Sequence, residues 1–321
     1  PRKNEYIVEV TYLKRVERTD ADESAVCAVD LGVNLLLTAV TNRGLTPLLF
    51  KGGRIKAINQ WYNKLRSRYQ SRRDRQNAVL LPKKDALALA AKKGGITPAI
   101  AELRERMNAE EDPSKRDSLA DGIAHLQSLP ADLTAAKLFE MKKEFNRVMF
   151  TDTARMKRIA KKRRKQLDDI MHKASRMLVD YCVEHNIGTL VVGKNKNWKQ
   201  RANMGRRNNQ NFVSIPFNRL IGMLEYKGAQ KGISVIVIPE SHSSKCSAID
   251  REPVGHHEEY AGNRYKRGRF MARKANPKTG RRYVIHADVN AAFNIGRLYR
   301  ADLFQSVTVP QMIRRPKVIE V

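Results

Sequence analysis

An α/β fold built on a mixed sheet is what this sequence predicts, on three observations. Short apolar runs closed by turn residues recur at 25–32, 35–44, 46–53, 187–192 and 233–238. Amphipathic patterns with apolar residues three and four apart occupy 53–70, 155–185, 214–232 and 286–300. Their order is three strands, then helices alternating with single strands, which places a meander first and parallel strands after it.

Taken along the chain, EYIVEVTYLKRVE (5–17) alternates apolar and polar residues as a half-buried strand does. Such a strand needs a neighbour, and the chain opens Pro1-Arg2, so the expectation is the C-terminal part of a longer protein. AVCAVDLG, LLLTAVTNRG and TPLLFKGG form the meander. GRIKAINQWYNKLRSRYQ (53–70) is a helix on Ile55, Ile58, Tyr62, Leu65 and Tyr69, with Arg and Lys on its other face. Residues 76–150 differ in kind. They are Ala-rich, broken at Gly94-Gly95 and Pro113, and hold ten acids from Asp85 to Glu140 against seven bases, so they read as a near-neutral helical insertion. A long basic helix (155–185) ends at Asn186. The strand IGTLVV, the basic loop 193–211, the helix 214–232 and the strand ISVIVI follow. After a basic, Gly-rich stretch at 255–282, HADVNAAFNIGRLYR makes a last helix, and the tail from 305 shows no period. This is the element order of a ribonuclease H-like sheet, although element order alone leaves other α/β folds open.

With 62 Lys and Arg against 33 Asp and Glu, the 321 residues carry a net charge of +29. Such an excess points to a polyanionic partner, and nucleic acid fits best because neutralised phosphates release condensed counterions. The apolar runs are far too short to span a membrane. The three cysteines, Cys27, Cys182 and Cys246, are widely separated and never form a C-x-x-C pair, which suits a reducing compartment; the expected location is the cytoplasm.

Hydrolysis of a phosphodiester through two divalent ions about 3.5–4 Å apart needs several carboxylates in one small volume, and these must come from distant elements. Asp30 lies in the apolar run AVCAVDLGVNLL; a strand-end Asp accepting turn hydrogen bonds is the plainer explanation. Asp288 opens the last helix, where the helix dipole alone favours it. Glu240 follows ISVIVIP, and an apolar strand rarely delivers a Glu at its end without a partner.

AVDLGVNLLLTAV, HKASRMLVDYCVEHNIGTLVVGKN, RRNNQNFVSIPFNRL, ESHSSKCS and HADVNAAFNIG, in this order, resemble the TnpB proteins of bacterial insertion sequences, relatives of the type V CRISPR effectors. The resemblance runs from about residue 5 to 300, excluding much of 76–150. It implies a RuvC-type, ribonuclease H-like nuclease domain in an RNA-guided DNA endonuclease dependent on Mg2+ or Mn2+. Implied partners are a guide RNA and a target DNA, with no membrane and with a homodimer left open. The implied organisation is the end of an upstream β-rich, wedge-like domain (1–18), RuvC-like part I (19–53), a helical insertion with basic helices (54–185), part II (186–240), a small basic nucleic-acid-binding lobe (241–285), part III (286–304) and a tail (305–321). Asp30 and Asp288 match the first and third RuvC motifs. The second does not match: the family's Glu after IGTLVV is replaced here by Gly193-Lys194. Either the site is inactive and the protein acts by occupying DNA, or the carboxylate has moved. Adjacent parallel strands finish at one sheet edge, so Glu240, on the next strand, is the preferred replacement. A strand-transfer transposase would need a different architecture, which is not found.

Relatives usually carry a four-cysteine zinc ribbon between the second and third motifs. Here Cys246 stands alone, and Cys246, His242, His256 and His257 have no standard zinc spacing, so no structural zinc is expected. From Arg264 to Arg282 there are nine Lys or Arg and no acid, with Tyr265, Phe270 and Tyr283 interleaved, as in a surface that grips phosphates and stacks bases. Lys245, Arg264, Lys266, Arg267 and Arg269 are the nucleic-acid contacts expected there. Lys194, Lys196, Trp198, Lys199, Arg206 and Arg207 are those expected in the basic loop. Ser241, Ser244 or Lys245 is expected at the scissile phosphate.

Overall fold

The computed structural model describes residues 21–149, 154–195 and 214–321. The strand expected at 5–17 lies outside them. Two compact units emerge: residues 1–60 with 165–321, and residues 61–164, the boundaries falling inside two long helices.

The first unit is organised by a six-stranded sheet. β1 (Asp22–Leu31), β2 (Leu35–Thr41) and β3 (Leu48–Lys51) form the antiparallel meander. β4 (Ile187–Gly193) and β5 (Ser234–Ile238) add parallel to β1 in turn, giving the order β5-β4-β1-β2-β3-β9. β4 is buried along its whole length, as a central parallel strand covered on both faces must be, which accounts for its unbroken apolar sequence. α5 (Ala154–Glu184), through its part from Leu167 to Cys182, and α6 (Phe217–Ala229) cover one face with Met171, Leu178, Phe217 and Leu224. α7 (Ala287–Tyr299) covers the other with Val289, Phe293 and Ile295 against Val26, Ala28 and Val191. This is the ribonuclease H-like fold.

Two segments without a legible period are ordered. Residues 255–282, read above only as a basic stretch, contain β6 (Gly262–Lys266) and β7 (Arg269–Ala275), which with β8 (Arg282–His286) form a separate three-stranded antiparallel sheet. Its strands are largely exposed, so no apolar alternation announces them. The tail passes through a 3-10 turn (Asp302–Phe304) and α8 (Val309–Met312) to β9 (Lys317–Ile319), which pairs parallel with β3, Leu49 opposite Val318.

The second unit is helical. α1 (Gly53–Lys93) continues well past residue 70, where its legible period ends, and runs through Pro82. α2 (Ile96–Ala109), α3 (Pro113–Gln127) and α4 (Ala135–Met149) follow. Asp112 caps α3, its carboxylate accepting from the Ser114 N–H at 2.9 Å, with Pro113 in the first turn where its missing N–H costs nothing. Leu87, Leu103, Ile123, Leu126 and Leu138 form the core of this unit.

Every buried member of that core falls between Ala86 and Leu138. Replacing residues 76–150 by a short Gly/Ser linker should therefore leave the six-stranded sheet folded, with a melting temperature changed by only a few degrees. Circular dichroism and thermal melting check this; loss of the cooperative transition would show that the first unit depends on the second.

Candidate metal centre and nucleic-acid interface

Three carboxylates from separate parts of the chain meet at the C-terminal edge of the parallel strands. Asp30 lies near the end of β1, paired with Thr38 of β2; because Val29 pairs with Val192, the next residues along, Asp30 and Gly193, stand level. Gly193 pairs with Ile238, and the Lys194 N–H donates to the Ile238 carbonyl at 2.8 Å. Two residues further, Glu240 turns back over β4, its backbone N–H donating to Asn195 Oδ1 at 2.9 Å. Asp288 sits in the first turn of α7, where His286 caps the helix by accepting from the Asp288 N–H at 3.3 Å.

Gly193 makes room for Glu240. A Cβ at 193 would overlap Glu240 Oε2 and come within 2.5 Å of Ile295 Cδ1. The residue occupying the place of the absent second-motif Glu is thus one whose lack of a side chain opens the space the Glu240 carboxylate fills. Glu240 is only 9% exposed, and its Oε2 is buried with no hydrogen-bond partner. An ionised oxygen left so is costly unless a cation reaches it.

The electrostatics follow from that burial. Burial pushes the Glu240 carboxyl up to about 7. Asp30 is raised well above the usual carboxylate range by burial first, then by Glu240 and Asp288, with Arg264 pulling it partly back. Asp30 is therefore the member that feels both others. Arg264, on β6, donates from Nη2 to Asp288 Oδ1 at 3.2 Å and supplies positive charge at the centre. Among the described residues, no three His, Cys, Asp or Glu side chains are drawn tightly enough around one point to hold a single ion. A pair of ions sharing Asp30 does not require such a point.

Asn290 and Asn294, one turn apart on α7 and fully buried, hold the segment after Glu240. Asn290 Oδ1 accepts from the Ala248 N–H at 2.9 Å, and Asn294 Nδ2 donates to the Ser243 and Cys246 carbonyls at 2.8 and 2.7 Å. Arg297 ties Asn294 to the Glu252 carbonyl. Sequence reasoning gave none of these a role, nor Asn195. The available signal was two Asn four apart on an otherwise apolar helix face, where an unbonded amide would be expensive.

Of the expected nucleic-acid contacts, Lys196, Trp198, Lys199, Arg206 and Arg207 lie outside the described residues. Lys194 is half-buried beside Glu240's segment, while Lys245, Arg264, Lys266, Arg267 and Arg269 are exposed on the lobe. Arg267, in the β6–β7 turn, reaches Asn34 Oδ1 at 3.0 Å, and the next residue, Gly268 (φ +72°), accepts from the Ala287 N–H at 3.0 Å, so this turn touches both the β1–β2 loop and the start of α7. Around the residues weighed for zinc, His242 Nδ1 lies 3.1 Å from Tyr260 Oη, His257 Nε2 lies 2.7 Å from the Pro253 carbonyl, and the Cys246 thiol donates to the Gly255 carbonyl at 3.4 Å.

Two outcomes test this geometry. An acid whose pKa is higher folded than unfolded stabilises the protein relative to its ionised form, and that advantage is lost as pH rises, for Glu240 between about 4.5 and about 7. Without divalent ions, melting temperature should fall from pH 5 to pH 8. Asp30→Asn should flatten the fall and raise the melting temperature at pH 8; an unchanged slope would contradict the mutual repulsion of Asp30 and its acidic neighbours. Gly193→Ala should displace the Glu240 carboxylate, so that Mn2+ affinity measured by calorimetry drops at least tenfold while the fold persists.

Comparison with known proteins gives two family matches. The model described as a probable transposase, OrfB_IS605, matches residues 8–88 and 135–199, and the model described as the Cas12f1-like TNB domain matches residues 217–295. A search of the curated proteins found no match. Similar solved structures include a Cas12f1–sgRNA–target DNA complex (12% identity, 85% of this chain and 50% of that chain, TM-score 0.39). Others are a CRISPR–Cas12f ternary complex (13%, 89% and 40%, TM-score 0.35) and the C2c1 protein of Alicyclobacillus acidoterrestris with single-guide RNA (11%, 86% and 39%, TM-score 0.41). The chain thus spans half or less of the length of these proteins. The two family models between them take in the sheet strands, Glu240 and most of the last helix, and the chain is TnpB-like in that it is similar to the OrfB_IS605 probable transposases over one part and to the Cas12f1-like TNB domain over another.

Proposed function

We propose that this chain carries the nuclease centre of an RNA-guided DNA endonuclease, with Asp30, Glu240 and Asp288 as its metal-holding carboxylates. The observation that carries the reading is the buried, unpartnered Glu240 Oε2 in the space left by Gly193, next to an Asp30 held above the usual carboxylate range by burial and by its acidic neighbours. Such a donor set is unfavourable alone and suits hard divalent cations, which take carboxylate oxygens. Magnesium or manganese bound there would activate water and stabilise the leaving oxygen of a phosphodiester.

The chain's own groups do the rest. β1, β4 and β5 fix the carboxylates on a rigid sheet edge, and the buried amides of α7 hold the Glu240 segment, so little reorganisation remains when charge develops. Arg264 and Lys245 set cations beside the centre where a phosphate would lie, and the exposed Lys266, Arg267 and Arg269 extend that charge along the lobe. The net charge of +29 favours polyanionic partners, which in this reading are the guide RNA and the target DNA.

The test is a set of substitutions that keep shape and remove charge. Asp30→Asn, Glu240→Gln and Asp288→Asn should each abolish guided cleavage while guided DNA binding persists, and combining them should add little, because the three act as one unit. Gly193→Glu alone should also fail, since the two side chains collide. Gly193→Glu with Glu240→Ala should recover part of the activity, because the carboxylate then returns from the neighbouring strand. Full activity in Glu240→Gln would exclude the relocated carboxylate. A wild-type protein that binds guided DNA but never cuts would make occupancy the function.

A further inference from the structure

Two buried polar atoms without a hydrogen-bond partner flank Asp30 in the sheet. Glu240 Oε2 lies on its β4 side, and Thr38 Oγ1 lies on its β2 side. Thr38 is 1% exposed. Side chains alternate along a strand, and Leu37 and Ala39 belong to the core under α5 and α6, so Thr38 points with Val40 to the face that α7 covers. Val26 and Ala28 place Asp30 on that same face. The Asn42 N–H donates to the Val26 carbonyl at 3.1 Å, and the Gly32 N–H donates to the Leu36 carbonyl at 3.3 Å. Hydrogen-bonded pairs recur at every second position between these two, so Asp30 and Thr38 form one, with Cα atoms about 5.5 Å apart. A hydroxyl and a carboxylate facing each other across such a pair are within bonding reach. On its other side Thr38 pairs with Leu49 of β3. Of its two cross-strand neighbours, only Asp30 has a side chain that can accept.

We propose that Thr38 is a positioning residue of the metal centre, its hydroxyl donating to the Asp30 carboxylate and holding it in the orientation that takes the ion. The inference rests on the proposed centre for the cation; Thr38 itself touches neither ion nor substrate. Carboxylates that bind metals are themselves hydrogen-bonded by outer groups that fix their orientation. Arg264 gives Asp288 such a bond, at 3.2 Å. For Asp30 the group in place is a hydroxyl, which donates without bringing a positive charge to compete with the cation. Strand propensity does not account for it, because Val is as good a strand former as Thr and has nearly the same shape. A buried hydroxyl with nothing to bond is a cost that Val would avoid. The cost is offset once a cation sets the carboxylate, and one χ1 step turns the hydroxyl toward it.

The test reads stability and metal affinity separately on the full chain, by thermal melting without divalent ions and by calorimetric titration with Mn2+ alone. Thr38→Val keeps the shape and removes the hydroxyl. Its metal-free melting temperature should stay level or rise, while Mn2+ affinity falls about tenfold or more, the loss typical of an outer hydrogen-bonding partner. Thr38→Ser keeps the hydroxyl and removes a buried methyl, so its melting temperature should fall while Mn2+ affinity stays near that of the parent. The two variants thus move the two readings in opposite directions, whereas a residue that merely packs would move both together. If Thr38→Val binds Mn2+ like the parent, or if Thr38→Ser loses as much affinity as Thr38→Val, the positioning role is wrong and the centre stands. If the parent takes up no Mn2+, and Asp30→Asn behaves the same, the centre and the role of Thr38 fall together.

Discussion

The absence of a side chain at Gly193 is the constraint on which the centre depends. β4 and β5 run parallel with Gly193 level with Ile238, so a residue two beyond Ile238 can fold back over the end of β4 only if nothing stands there. Glu240 does so, and its carboxylate and the Ile295 side chain together occupy the volume that a Cβ would need. The chain's departure from the family's second motif and the unusual Glu after Pro239 are therefore one feature. Either residue alone would be a defect: a glycine ending a buried strand leaves a void, and a Glu with a buried, unbonded oxygen carries a desolvation penalty. Together the void becomes the seat, and in the proposed centre a bound cation would relieve the penalty.

The segment that follows must be rigid for such a seat to work, and its rigidity comes from amides and carboxylates. Asn290 and Asn294 bind backbone groups of Ser243, Cys246 and Ala248. Glu252 accepts from the Ser247 and Ala261 N–H groups at 2.7 and 2.8 Å, and Asp250 accepts from those of Arg273 and Lys274. Arg251, with φ +58°, points its guanidinium at the Phe304, Gln305 and Val307 carbonyls and so fastens the turn to the chain beyond α7. These bonds span the lobe, the last helix and the segment after it. Buried polar networks of this kind fix one arrangement because each unmade bond would leave an orphaned group. The same network fixes the segment that follows Glu240 against the helix that carries Asp288.

How much of this could be read from the sequence varied with burial. β1, β2 and β4 were legible because continuous apolar runs ending in Gly or Asn have few other uses, and the meander-then-parallel order gave the sheet. α1 is legible only to about residue 70 because its next turns expose Arg and Gln on most sides, and a helix without an apolar stripe has no period to detect. The lobe's strands were missed for the same reason: β6 buries only Gly262, and β7 only Phe270 and Ala272, so alternation was too sparse. β9 has three residues, none buried, and its place beside β3 is set by tertiary pairing. At the site, Asp30, Glu240 and Asp288 were each ambiguous alone and gained meaning from a shared sheet edge. Asn195, Asn290 and Asn294 carry no charge pattern, and what they bind, backbone atoms distant in sequence, leaves no trace in composition.

Charge placement gives the lobe a second task besides contact. Three acids at one edge repel one another, and Asp30, feeling both others, bears most of that cost. Arg264 offsets part of it while nearly half exposed, so its grip on Asp288 is screened by water and easily exchanged. A guanidinium so placed can leave a carboxylate for a phosphate without losing a charge-assisted bond. Under the proposed function Arg264 would then be needed in both states: against Asp288 when the centre is empty, and against a phosphate when cations hold the carboxylates.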